Sequence, residues 1–267
     1  MTTKIRLMAL ALMVALFSVQ CTKDNTGAPD YPTTIDSYFK SGDYTYEGVN
    51  IAYRDASTLS TTDGKAALVV VLHGQKSSGS DNMSQLRSDA MIRIWHYFTS
   101  NNINAVLLAP QCSPRRAWDE TSAEVKGTTM TQALKALIDD YVAGMSNIDR
   151  SRIYILGYSD GSQPAGAGGV WRMISDYNDL FAASMIVAAD PDQTIDALSV
   201  AKTPVLSVKG ETDVHAVALT LDSFGDQVRD AGGTLKEVVL EARSREEVCR
   251  EAFSAEYLDW IVQFSKQ

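Results

Sequence analysis

Residues 154–162 read YILGYSDGS, and within them Gly157-Tyr158-Ser159-Asp160-Gly161 sets a serine between two glycines directly after an apolar run. A serine acts as a nucleophile when a neighbouring group takes its proton, and acyl transfer also needs N–H donors for the developing oxyanion. A second stretch, VVVLHGQKSSGSDN (69–82), carries an apolar run through His73-Gly74 into a Gly/Ser-rich loop. Its backbone N–H groups suit the oxyanion role, and the amides of Gln75 and Asp160 are the expected pair. A third, VLSVKGETD (205–213), brings Asp213 to a strand end, where a carboxylate can orient an imidazole. The plainer alternatives are a helix-capping Ser159, a loop-bracing His73 and a solvated Asp213.

Positioning these residues takes regular elements. YTYEGVNIAYRD (44–55) alternates as a strand does, while AALVVVLHG (66–74), NAVLLAP (104–110) and RIYILG (152–157) are continuous apolar runs expected of central buried strands. Further strands are expected within 180–190, 203–210 and 234–242. Helical spacing marks 81–101, 128–146, 160–175, 217–232 and 249–264. Strand and helix in repeated alternation predict an α/β fold, a mostly parallel central sheet with helices on both faces. Sites in such sheets lie beyond the carboxyl ends of the strands, where all three motifs fall.

The blocks VVVLHG, AVLLAPQC with Trp118, DRSRIYILGYSDG, DLFAASMIVAADPD, TPVLSVKGETD and EYLDWI, in that order, resemble the α/β-hydrolase superfamily. The likeness is to its esterase and prolyl-oligopeptidase-like branch, the carboxylesterases and polyester-depolymerase-type hydrolases, and runs from about Tyr44 to the C-terminus. The resemblance implies that Ser159 is the nucleophile and Asp213 the acid of a triad. It implies hydrolysis of a small carboxylic ester through an acyl-enzyme, with no metal and no organic cofactor. Trp118 either lines an acyl or aromatic pocket or packs within its loop.

One element of the pattern is missing. The loop after the last strand, EARSREEVCREAFSAEYLDW (241–260), contains no histidine, and Glu247 falls roughly where one is expected. A carboxylate with an ordinary pKa of about 4 is a poor acceptor for a serine proton. Of the three histidines, His73 is assigned to the oxyanion loop and His96 to a helix away from the crevice. His215 is therefore the relocated base to consider, with Asp190 or Asp192 as its partner. Two functions follow: an ester hydrolase impaired by the lost histidine, or an inactive protein on the same fold that binds a ligand in the crevice.

The remaining features concern location. Lys4 and Arg6 precede an apolar core from Leu7 to Phe17, as in a secretory signal peptide over 1–21. Cys21 stands where bacterial lipoproteins carry their lipid, although Ser18 and Gln20 depart from the usual residues there. The expectation is an exported lipoprotein that meets a membrane only through Cys21, or else a periplasmic or secreted form, with 22–43 as a tether and one domain over 44–267. Cys112 and Cys249 are left as a disulfide or as two free thiols. A net charge of −9 argues against a general affinity for nucleic acid.

Overall fold

The computed structural model describes residues 34–59, 64–159, 166–213 and 218–266, with the side chains of 218–222 excepted. The sheet is built around β3 (Ala66–Leu72), all of whose residues are buried. Leu68, Val70 and Leu72 enter one hydrophobic core, and Ala67, Val69 and Val71 enter the other. A strand covered on both faces has no polar side to alternate with, hence its uninterrupted apolar sequence.

Around β3 lie β1 (Lys40–Tyr46), β2 (Val49–Ser57), β4 (Ala105–Gln111), β5 (Ile148–Tyr158), β6 (Ala183–Val187), β7 (Val205–Gly210) and β8 (Leu235–Leu240), in the order β1-β2-β4-β3-β5-β6-β7-β8. β1 and β2, and β2 and β4, pair antiparallel; every later pair is parallel. Helices α1 (Asp89–Ser100), α6 (Arg245–Glu251) and α7 (Ala255–Val262) bury their apolar residues in one core. Helices α2 (Met130–Gly144), α3 (Gly166–Asp176), α4 (Ala197–Val200) and α5 (Ala218–Asp230) serve the other. The expected mostly parallel sheet with helices on both faces is therefore present.

Four boundaries differ from the sequence reading. The strand expected over 44–55 is a hairpin, because Glu47 and Gly48 take left-handed φ values of 47° and 83°, the geometry of a tight two-residue turn. The segment expected to be a tether (22–43) contains β1 from Lys40, and before it Ile35 and Phe39 are buried against α1, with Phe39 5.1 Å from the Trp95 ring. The terminal helix expected over 249–264 is two helices, the second beginning after Ser254. The 81–101 helix starts only at Asp89, where the Ser88 hydroxyl accepts the Met91 amide at 3.1 Å as an N-cap.

The sheet register decides what meets at the carboxyl edge. Leu72 pairs with Gly157, Tyr158 with Val187, and Gly210 with Leu240. The loops that follow β3, β5, β7 and β8 thus leave the sheet together. Gly157 lets α3 close on β5: a Cβ at this position lies 2.5 Å from the Gly166 carbonyl oxygen and 2.6 Å from Val170 Cγ2. The backbone carbonyl cannot swing aside as a side chain would. Gly157→Ala is expected to lower stability by about 1–3 kcal/mol through overpacking. The measurement is a urea transition with a lower midpoint and an unchanged slope; a wild-type midpoint contradicts the close approach.

Candidate active site

Ser159 follows β5 directly, is 2% exposed, and donates its amide to the Val187 carbonyl at 3.0 Å. Asp213 stands three residues beyond the end of β7, is 5% exposed, and donates its amide to the Gly210 carbonyl at 3.1 Å. Between them lies the first residue of α6. Arg245 Nε donates to both Asp213 carboxylate oxygens, at 3.2 and 3.1 Å, and Arg245 Nη1 lies 3.5 Å from Ser159 Oγ. The side chains of Arg245 and Asp213 are 18% and 1% exposed. A guanidinium therefore bridges the serine and the acid, in the place a triad gives to its imidazole.

Local structure holds it there. Gly210 ends β7 so close to the Arg243 carbonyl that a Cβ would collide with it, and the Thr212 amide donates to that same carbonyl at 3.1 Å. The Glu211 carboxylate accepts the Ala242 amide at 2.8 Å. The β8–α6 loop is thus tied at two points to the β7 loop, and α6 must begin beside Asp213. Cys249, one turn further on, places its thiol 3.3 Å from the Ser159 carbonyl oxygen. Cys249 and Cys112 are buried and are not joined in a disulfide, so the disulfide alternative does not hold.

Glu247 is not at the serine. Its carboxylate accepts the Ser244 amide at 2.8 Å and the Ser244 hydroxyl at 2.7 Å, and these bonds hold its pKa below the ordinary glutamate value. It therefore caps α6, and the assignment of Glu247 to the histidine position is corrected to Arg245. The signal was present in the sequence: Ser244-Arg245-Glu246-Glu247 is the S-x-x-E pattern of a helix start. Reading it as a cap removes Glu247 from the crevice and puts Arg245 in the first turn. Asp160 and His215 lie outside the described residues.

The loop after β3 carries Gln75, expected to serve the oxyanion, at the start of a short 3-10 turn (Gln75–Ser77). His73 braces that loop. Its Nδ1–H donates to the Gly74 carbonyl at 2.7 Å, and Nε2 accepts the Cys112 amide at 2.9 Å. Gln111, not anticipated from sequence, ties the same loop by donating to the Ser77 carbonyl and to Asp81, at 3.1 and 2.7 Å. Trp118 is fully buried, stacked edge-on against His73 at 5.5 Å. Its Cβ also meets Gly169 of α3 closely. Of its two expected roles, pocket wall or packing, the buried ring fits packing in the core. Arg116 is held by Glu120 at 2.6 Å and Asp192 by Arg172 at 3.0 Å, so both are engaged in bracing their loops.

A pocket of about 420 Å³ opens next to the serine on the α1 and α6 side. Tyr158 and Cys249, which flank Ser159, form part of its wall together with Lys76, Ser77, Glu246 and Arg250. Among the described residues no cluster of His, Cys, Asp and Glu is suited to hold a metal ion.

The sheet order, the helices on both faces and a serine and an acid at the ends of β5 and β7 make this an α/β-hydrolase fold. No family model and no curated protein matches the chain. Solved structures do. A thermostable esterase superposes with a TM-score of 0.73 at 23% identity, covering 86% of this chain; the match spans 64% of that esterase. A ferulic acid esterase superposes at 0.63 and 13% identity, covering 84% of this chain and 98% of that one. A feruloyl esterase module from Clostridium thermocellum, complexed with sinapinate, gives 0.59 at 13%, covering 84% and 92%.

The bracing by His73 has a consequence for stability. Burial pulls its pKa from 6.5 down to about 4. Between these values the unfolded chain holds a proton that the folded chain does not, so stability falls as pH drops from 6.5 towards 4, by up to about 3 kcal/mol. His73→Gln, whose side-chain oxygen can still accept the Cys112 amide, is expected to remove that slope from urea titrations run across this range. A variant retaining the full wild-type slope contradicts the assignment.

Proposed function

We propose that the chain is a serine hydrolase of carboxylic esters that works through an acyl-enzyme on Ser159, slowed because Arg245 holds the place of the base. The observation that carries this is the pairing of buried Ser159 and Asp213 at the ends of β5 and β7, spanned by a single side chain. The esterases of the same fold support the class. Ser159 Oγ attacks the ester carbonyl and its proton passes to solvent; the alcohol leaves with a proton from water, and a second water cleaves the acyl-enzyme. The Gln75 and Asp160 amides serve the oxyanion.

A guanidinium carries hydrogen-bond donors and no acceptor, so Arg245 offers the serine no lone pair for its proton. What remains is the contribution of the oxyanion site and of binding, roughly 10³–10⁴-fold over water where a triad member is lost. A second reading, a ligand-binding protein without turnover, is favoured by the same Arg245–Asp213 bond, which commits the acid to a cation rather than to a base. In a further reading His215 supplies the base from its own loop. For location, we propose export and a lipid anchor at Cys21; Cys21→Ser is then expected to move the protein from membranes to the soluble fraction.

A fluorophosphonate probe followed by intact-mass detection tests the main reading. Slow labelling that vanishes in Ser159→Ala is expected, and unlabelled wild-type protein that also fails to turn over p-nitrophenyl acetate sinks it. Arg245→His restores an imidazole between Asp213 and Ser159 and is expected to raise turnover about 100-fold or more. Its rate rises with pH as the imidazole loses its proton, and wild type lacks that limb. Wild-type turnover lost in His215→Ala transfers the base to His215.

A further inference from the structure

We infer that the pocket on the α1 and α6 side is a binding site for a medium-chain carboxylate, a single negative charge on an apolar body. Ser159, Asp213 and Arg245 do not line it, and the inference does not rest on turnover at the serine. Its volume of about 420 Å³ lies within the range of small-molecule sites, roughly 300–1,000 Å³. Its lining divides by exposure. Ala90, Tyr158 and Cys249 are buried and form a largely apolar base, while the charged side chains of the lining are exposed and form a rim.

Most of the rim charge is already matched. Lys76 pairs with Glu246 at 3.1 Å, Arg87 lies 3.8 Å from Asp36, and Asp89 stands in the first turn of α1, where the helix dipole offsets it. Arg250 is the exception. It is exposed and has no ion pair among the described residues; Glu247, close enough to feel its charge, spends its carboxylate on the Ser244 cap. Ser77 supplies the second donor. It lines the pocket at 6% exposure, its carbonyl accepts Gln111 and its amide donates to the Gly74 carbonyl. Its hydroxyl has no hydrogen-bond partner among the described residues, so it remains for whatever fills the pocket. A carboxylate can accept from a guanidinium and a hydroxyl together. A cation meets the unmatched Arg250, and a small anion without an apolar body leaves the base uncovered.

Calorimetric titration of the full chain with octanoate, its neutral isostere octanamide and acetate tests the assignment. Octanoate is expected to bind roughly tenfold or more tightly than octanamide, the scale of a hydrogen bond to a charged group, and roughly tenfold or more tightly than acetate, which lacks the apolar body. Arg250→Gln is expected to weaken octanoate about tenfold. Ser77→Ala is expected to weaken it several-fold without lowering the urea midpoint, because the hydroxyl it removes bonds nothing in the free protein. Two controls are expected to bind octanoate as wild type does: Ser159→Ala, and Arg150→Gln, an exposed arginine at the opposite end of β5 from Tyr158. Absent octanoate binding, octanamide or acetate binding as tightly as octanoate, or wild-type affinity in both the Arg250 and Ser77 variants overturns the inference. So does a loss in Arg150→Gln equal to that in Arg250→Gln, which reports general charge attraction. A loss in Ser159→Ala alone moves the ligand to the serine and overturns it as well.

Discussion

Asp213 is a carboxylate with almost no access to water, and a buried charge must be matched by another or give up its proton. Here Arg245 matches it. Breaking such a pair from one side typically costs several kcal/mol, because the survivor is left charged and unsolvated. Much of the carboxyl edge is organised so that the two groups meet. Gly210 admits the Arg243 carbonyl, Glu211 and Thr212 hold the β8–α6 loop, and the Ser244–Glu247 cap starts α6 where its first side chain reaches inward.

The same bond separates fold from chemistry. The sheet is that of the α/β-hydrolase fold, and His73 and Gln111 brace the loop after β3. Ester cleavage depends on one group more, a proton acceptor at the serine, and Arg245, the side chain that reaches Ser159 Oγ among the described residues, only donates. A scaffold can therefore be intact while the activity its relatives carry is not implied by it. The site has to be judged on the atoms that face the reacting centre.

Much of this was legible in the sequence, for definite reasons. Two-sided burial writes itself as unbroken apolar runs, so β3, β4 and β5 were readable, and the glycine before Ser159 marked the close approach of α3. Asp213 could be placed because its strand ends in a glycine. The hairpin at Glu47-Gly48 was missed because glutamate seldom takes a left-handed conformation, so only one of the two turn residues looked like one. Trp118 was ambiguous because an aromatic in a long loop reads alike whether it faces ligand or core; only Gly169 opposite explains its burial. Arg245 was missed because the helical spacing over 249–264 reads as one helix, whereas the cap at Ser244 shows where a separate helix begins. Partners brought together by loop folding, as Gln111 and the β3 loop are, leave no local periodicity to find.

The central claim is that Arg245 and Asp213 form one energetic unit at the serine. A double-mutant cycle of Arg245→Met and Asp213→Asn, read from urea unfolding, measures it most directly. The account predicts that each single variant is strongly destabilised, that the pair together costs far less than their sum, and that the coupling energy reaches about 2–3 kcal/mol, the upper range for directly contacting residues. Additive effects, with a coupling energy below about 0.5 kcal/mol, would show that the guanidinium and the carboxylate do not depend on each other, and would contradict it.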